Sequence, residues 1–158
     1  MCRFTFVVVA LALIALPLRA DDKATAGERD MKALQGKWLV TGAFRDGKKL
    51  SDDERNKDDA SFFLEGLVIE KDNLKLNFKP NDAIDWYFEL DTSVTPHVVK
   101  FGQQNDKKVL AIYRVEGDKL SLAFTLKEAE DRAKLPAKLE TKSGDGVYLF
   151  EFEREKKK

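Results

Sequence analysis

At 158 residues the chain is the length of one domain, and its 28 basic side chains balance its 28 acidic ones, which argues against a dedicated nucleic-acid binder. The single cysteine, Cys2, and the single histidine, His97, leave no basis for a disulfide framework or a cysteine–histidine metal site.

The first twenty residues read as a secretory signal peptide. Arg3 supplies a short basic start, Phe4 to Leu16 is an apolar run interrupted only by Thr5, Pro17 breaks it, and Ala20 offers a small residue for cleavage. The run is short for a membrane span; an uncleaved N-terminal anchor is the alternative. Cleavage removes Arg3, Arg19 and Cys2, leaving a slightly acidic domain without cysteine. The expected location is outside the cytoplasm, periplasmic or extracellular, with no stable membrane span after cleavage.

Residues 21–29 are charged and small, and read as a flexible leader. The domain proper is expected over 30–154. A short helix is expected over Asp30–Gln35, with Asp30 as its N-cap and Gly36 as its stop. Trp38, Val40 and Phe44 then mark a first strand, with a bend or close backbone approach at Gly42 and a turn at Asp46-Gly47. Ser51–Ala60 is almost wholly charged and is either a loop or a solvated helical turn capped by Ser51. Phe62–Glu70 is apolar on both faces, as a strand covered on its outer side would be.

From there the chain keeps a period of two. Leu74, Leu76 and Phe78 alternate with Lys75, Asn77 and Lys79, and Ile84, Trp86, Phe88 and Leu90 with Asp85, Tyr87, Glu89 and Asp91. Alternate side chains of a strand face opposite sides, so each run has one dry and one wet face. Turns fall at Lys71-Asp72-Asn73, around Pro80 and at Asp91–Pro96. Further strands follow at His97–Phe101 and Val109–Val115, and a tight Glu116-Gly117-Asp118 hairpin leads into the Leu120, Leu122, Phe124, Leu126 strand. Lys127–Lys142 breaks the rhythm, with room for a helical turn at Glu128–Lys134. After a turn at Ser143–Gly146, Tyr148, Phe150 and Phe152 share a face with Arg154. Residues 155–158 are a solvated tail. The expected fold is all-β, an antiparallel, lipocalin-like β-barrel of about eight strands with a short N-terminal helix.

Three blocks carry a family resemblance. Leu34-Gln35-Gly36-Lys37-Trp38 with Asp46-Gly47, then Ala111-Ile112-Tyr113 with Gly117-Asp118-Lys119-Leu120, then Ser143–Gly146 leading to Arg154 resemble an exported, lipocalin-like domain family of uncharacterised function, abundant in Planctomycetes. The chain departs from that pattern at Ala111 (often Gly), at Ala123 (often Cys) and at Leu135-Pro136 (usually Arg-Pro). The resemblance implies fold and export, and no activity. The Gly-x-Trp element is also similar to that of lipocalins proper, which implies closure of the barrel base by Gly36, Trp38 and Arg154.

No residue is singled out for catalysis, and the expectation is a non-enzyme. His97 follows Pro96 at the start of a strand, as a structural histidine does. No Gly-x-Ser-x-Gly elbow accompanies it. The acidic run Asp52, Asp53, Glu54, Asp58, Asp59 lacks the glycine and ligand spacing of a calcium loop. No metal site or cofactor is implied. The inward aromatics either fill the barrel or line one small cavity. If a cavity exists, its ligand is apolar and meets Trp86, Phe88, Tyr113 or Tyr148. The reading is thus of a monomeric binding module for a small apolar ligand. The alternative is an envelope interaction protein, or inhibitor of a secreted enzyme, acting through Ser51–Ala60 or Lys127–Lys142. A hydrolase comes last.

Overall fold

The computed structural model describes residues 24–57, 65–76, 84–102, 108–126 and 131–156. The signal peptide read at 1–20, the start of the leader, Asp58–Ala60, Phe62, Phe78, the Pro80 turn, the Gln103–Lys107 connection, Lys127–Glu130 and the last two residues of the tail lie outside these.

Eight antiparallel strands close into a barrel. After helix α1 (Ala26–Leu34) come β1 (Gly36–Arg45), the two-residue β2 (Lys48–Lys49), a short helix α2 (Asp52–Lys57), β3 (Gly66–Glu70), β4 (Asn73–Leu76), β5 (Ile84–Asp91), β6 (Val98–Gly102), β7 (Val109–Glu116), β8 (Lys119–Thr125) and β9 (Val147–Arg154). Strands β3 to β9 pair in sequence order, β1 pairs with both β3 and β9, and β2 is a spur on β1. The up-and-down order follows from the short connections, which allow only antiparallel neighbours. The β1–β9 seam runs from Trp38↔Arg154 to Arg45↔Tyr148, with its register shifted between Val40 and Gly42. This bulge is the bend read at Gly42, and it steepens the strand's coil where the barrel closes.

Alternation places Trp38, Phe88, Phe101, Tyr113, Leu122, Phe124, Phe150 and Phe152 in one buried core. Trp86 packs against it, on the same side of β5 as Phe88. The rings form a chain through the interior. Trp86 stacks on Phe101 (centroids 5.8 Å apart), Phe101 meets Phe124 edge-on (6.3 Å), and Phe124 stacks on Tyr148 (5.8 Å) and Phe150 (6.0 Å). Each such pair adds about 0.5–1.5 kcal/mol beyond its area burial.

One expectation is corrected. The helix begins at Ala26, not Asp30, because Thr25 and Glu28 form a capping box: Glu28 N donates to Thr25 Oγ1 at 3.2 Å, and Thr25 N donates to Glu28 Oε2 at 2.7 Å. Asp30 is therefore mid-helix. The excursion after β8 is held against the barrel. The helical turn expected within Glu128–Lys134 is, among the described residues, a 3-10 turn at Arg132–Lys134, and Leu135 and Leu139 pack on a second apolar cluster of Val98, Leu110, Ile112, Ala123 and Val147 on the outer wall. The segment 131–146 is a strap across β6–β9. Ser51 does cap α2, accepting from Glu54 N at 3.3 Å, and α2 buries no residue.

Candidate functional site

Helix α1 covers one end of the barrel, and two polar clusters sit beneath it. The first is the barrel closure. Trp38, fully buried, donates Nε1–H to Leu34 O at 2.7 Å, fixing the helix end to the first strand. The Arg154 guanidinium lies 4.1 Å above the Trp38 ring centroid. Its Nη2 donates to Ala33 O at 2.6 Å and to Gly117 O at 3.4 Å, its Nη1 to Gln35 O, and its Nε to Asp118 Oδ1 at 3.1 Å. One planar cation thus satisfies carbonyls at the helix C-terminus, where the dipole favours positive charge, and grips the β7–β8 turn. Gly36 makes room: at φ +116, a Cβ there would sit 3.1 Å from Arg154 Nη1. Gly66, which sequence reading passed over, is tighter. At φ +144 its Cβ would lie 1.9 Å from Trp38 O.

The second cluster opens to solvent. His97 Nδ1–H and the Tyr113 phenol both donate to Asp30 Oδ2, each at 2.7 Å. His97 is further held by its carbonyl, which accepts from Tyr113 N at 3.0 Å. Burial, reinforced by the hydrogen bond to Asp30 and the charge of that carboxylate, pushes the Tyr113 phenol well above its usual range, so it stays a neutral donor. Among the described residues, neither His97 Nε2 nor Asp30 Oδ1 has a hydrogen-bond partner. The cluster forms the floor of a groove of about 620 Å³, walled by Pro96, Val115 and Leu139 and rimmed by Arg114, Glu116, Lys138 and Glu140.

The four residues expected to share a ligand cavity do not line one together. Phe88 and Tyr113 border an interior space of about 20 Å³, which is room for one water at most. Trp86 and Tyr148 are packed among the core rings and do not line that space. Large side chains have filled the interior at the helix-covered end. Of the four, Tyr113 alone also reaches the groove, through its hydroxyl. A second groove of about 590 Å³ lies on the outer wall of β5–β7, among Glu89, Asp91, Lys100, Lys108 and Arg132. Its charges are internally paired: Arg132 contacts Asp91, and Lys100 lies 3.9 Å from Glu89.

Sequence reading saw His97 as the sole histidine and missed its partner. The signal was present: Asp30 lies four residues before the buried Leu34, so it shares the barrel-facing side of α1. An acid on that side needs a donor. Among the described residues, no three His, Cys, Asp or Glu side chains converge as metal ligands, and no helix is long and apolar enough to cross a membrane.

Comparison of the chain with protein-family models, curated proteins and solved structures returns no match.

Proposed function

We propose that this protein is an exported, non-enzymatic binding module whose ligand sits in the groove between α1, His97 and the strap. The observation that carries this reading is the contrast in space. The interior at the covered end holds about 20 Å³, while the groove beside it offers about 620 Å³ over two uncommitted acceptor atoms. Small-ligand sites combine mostly apolar walls with a few placed polar groups. Here Pro96, Val115 and Leu139 are the walls, and Asp30, His97 and Tyr113 the polar groups. The signal-peptide pattern of residues 1–20 and the resemblance to exported lipocalin-like domains support export.

The test is a fragment screen against the ¹⁵N-labelled domain by chemical-shift perturbation. Binders are expected to move resonances of His97, Tyr113 and Leu139, and His97→Ala is expected to weaken them. Shifts confined to Trp86 and Tyr148 would move the site to the barrel interior.

A second reading, an envelope interaction protein, is favoured by the strap. Leu135 and Leu139 anchor it, leaving Lys134, Lys138, Glu140 and Lys142 exposed on a fixed scaffold. Replacing the exposed strap charges and finding partner capture abolished, with fragment binding intact, would favour this reading.

A further inference from the structure

The atoms that the groove floor offers define a ligand class, given the binding reading above. Asp30 Oδ2 accepts from both His97 Nδ1–H and Tyr113 Oη–H. An ionised carboxylate can only accept, so Nδ1 carries a proton, and whenever His97 holds a single ring proton its Nε2 presents a lone pair. Asp30 Oδ1 is a second acceptor without a partner among the described residues. With a singly protonated imidazole neither floor partner of Asp30 is a cation, because burial keeps the phenol protonated. The floor therefore carries one negative charge and two free acceptors. The Tyr113 hydroxyl is spent on Asp30, and the Thr95 hydroxyl, also in the groove lining, can accept as well as donate.

The rim does not reverse this. Arg114 lies 3.8 Å from Glu116, and Glu140 lies 3.2 Å from Lys142. Lys138 is exposed. Charges of this kind are screened by water and salt. The Asp30 side chain, by contrast, is only 20 % exposed, and a charge there acts through less water.

We propose that the groove binds a small primary ammonium compound with an apolar body. The ammonium donates to His97 Nε2 and the Asp30 carboxylate, and the body lies on Pro96, Val115 and Leu139. Acid opposes binding. Protonating His97 converts Nε2 from acceptor to donor and neutralises the floor. The other titratable or charged groups facing it are Asp30 from α1, Tyr113, Arg114 and Glu116 from β7, Lys138 and Glu140 from the strap, and Asp91 from β5.

The experiment titrates the ¹⁵N-labelled protein with hexylamine, hexanol and hexanoate at about pH 8 and about pH 5, on either side of the range in which imidazoles titrate. Hexylamine is expected to move groove resonances at the higher pH at least about tenfold more tightly than hexanol, the scale of a charge-assisted hydrogen bond, and to lose that advantage at the lower pH. Asp30→Asn, which keeps an acceptor oxygen but no charge, is expected to remove the preference. Should that variant unfold, the pH comparison on the unaltered protein still decides. Equal binding of hexanol, tighter binding of hexanoate, or a pH-independent amine preference would overturn the ammonium assignment while leaving the groove as a binding site. No movement of groove resonances by any probe would overturn both.

Discussion

Arg154, at the end of the last strand, lies 4.1 Å above the ring of Trp38, near the start of the first, and the two are Cα partners in the sheet. That contact joins the barrel's ends, and the guanidinium also reaches Ala33 O and Gln35 O at the C-terminal end of α1. The groove depends on it, because α1 carries Asp30. Trp38→Ala should therefore lower stability by about 3–5 kcal/mol, as for other buried aromatic truncations. Arg154→Lys, which keeps the charge but loses the planar fork, should cost about 1–3 kcal/mol. Urea denaturation measures both, and an unmoved midpoint for Trp38→Ala would reject its place in the core.

Gly66 faces the same junction from β3. An alanine Cβ would meet Trp38 O at 1.9 Å, in a backbone conformation of φ +144 that alanine resists. Gly66→Ala should cost at least about 1–3 kcal/mol from backbone strain alone, with the clash added. The urea midpoint should fall at unchanged slope. Wild-type stability would mean that β3 does not approach β1 so closely.

The strap is held by apolar contact, so Leu135→Ala together with Leu139→Ala should free it. The side chains are partly buried, so the loss is expected at or below the lower end of the 2–5 kcal/mol seen for buried leucines, about 2 kcal/mol for each. Amide exchange across 131–146 should accelerate while the β7–β8 ladder stays protected. Exchange that rises equally in the barrel would show that strap and wall unfold as one unit.

Asp91 gives a pH-dependent signature. The Ser93 hydroxyl, at 2.6 Å, then the Arg132 guanidinium and the Ser93 amide lower its pKa from the ordinary 3.8 to about 2. The unfolded chain then binds the proton more readily than the folded one. The associated stabilisation is complete above about pH 4 and disappears as the pH falls towards about 2. Asp91→Asn should flatten the fall in stability across that window, read from denaturation midpoints at stepped pH. An unchanged profile would assign the acid sensitivity to other carboxylates.

The barrel was legible because β5 and β8 alternate without interruption: Trp86 and Phe88, or Leu120, Leu122 and Phe124, can only share a face. Arg154 was legible for the same reason, two residues on from Phe152. The groove was not. Asp30 lies 67 residues from His97 and 83 from Tyr113, and only closure of the sheet and docking of α1 bring them together. The run Ala26–Arg29 looked like a leader, and Asp30 like a cap, because the charges hid the Thr25–Glu28 cap. The strap was missed because Leu135 and Leu139 are isolated among lysines. Its counterpart was readable in β7, where Leu110 and Ile112 are apolar on the face opposite Ala111 and Tyr113 and so require an outer cover.

The imidazole ¹⁵N resonances of His97, from a long-range ¹H–¹⁵N correlation on the neutral side chain, report directly on the groove floor. With Asp30 accepting from Nδ1–H, the proton must reside on Nδ1, with Nε2 bare, and Asp30→Ala should release that tautomer. A proton found on Nε2, or a tautomer indifferent to Asp30, would mean that His97 is not held as an acceptor facing the groove.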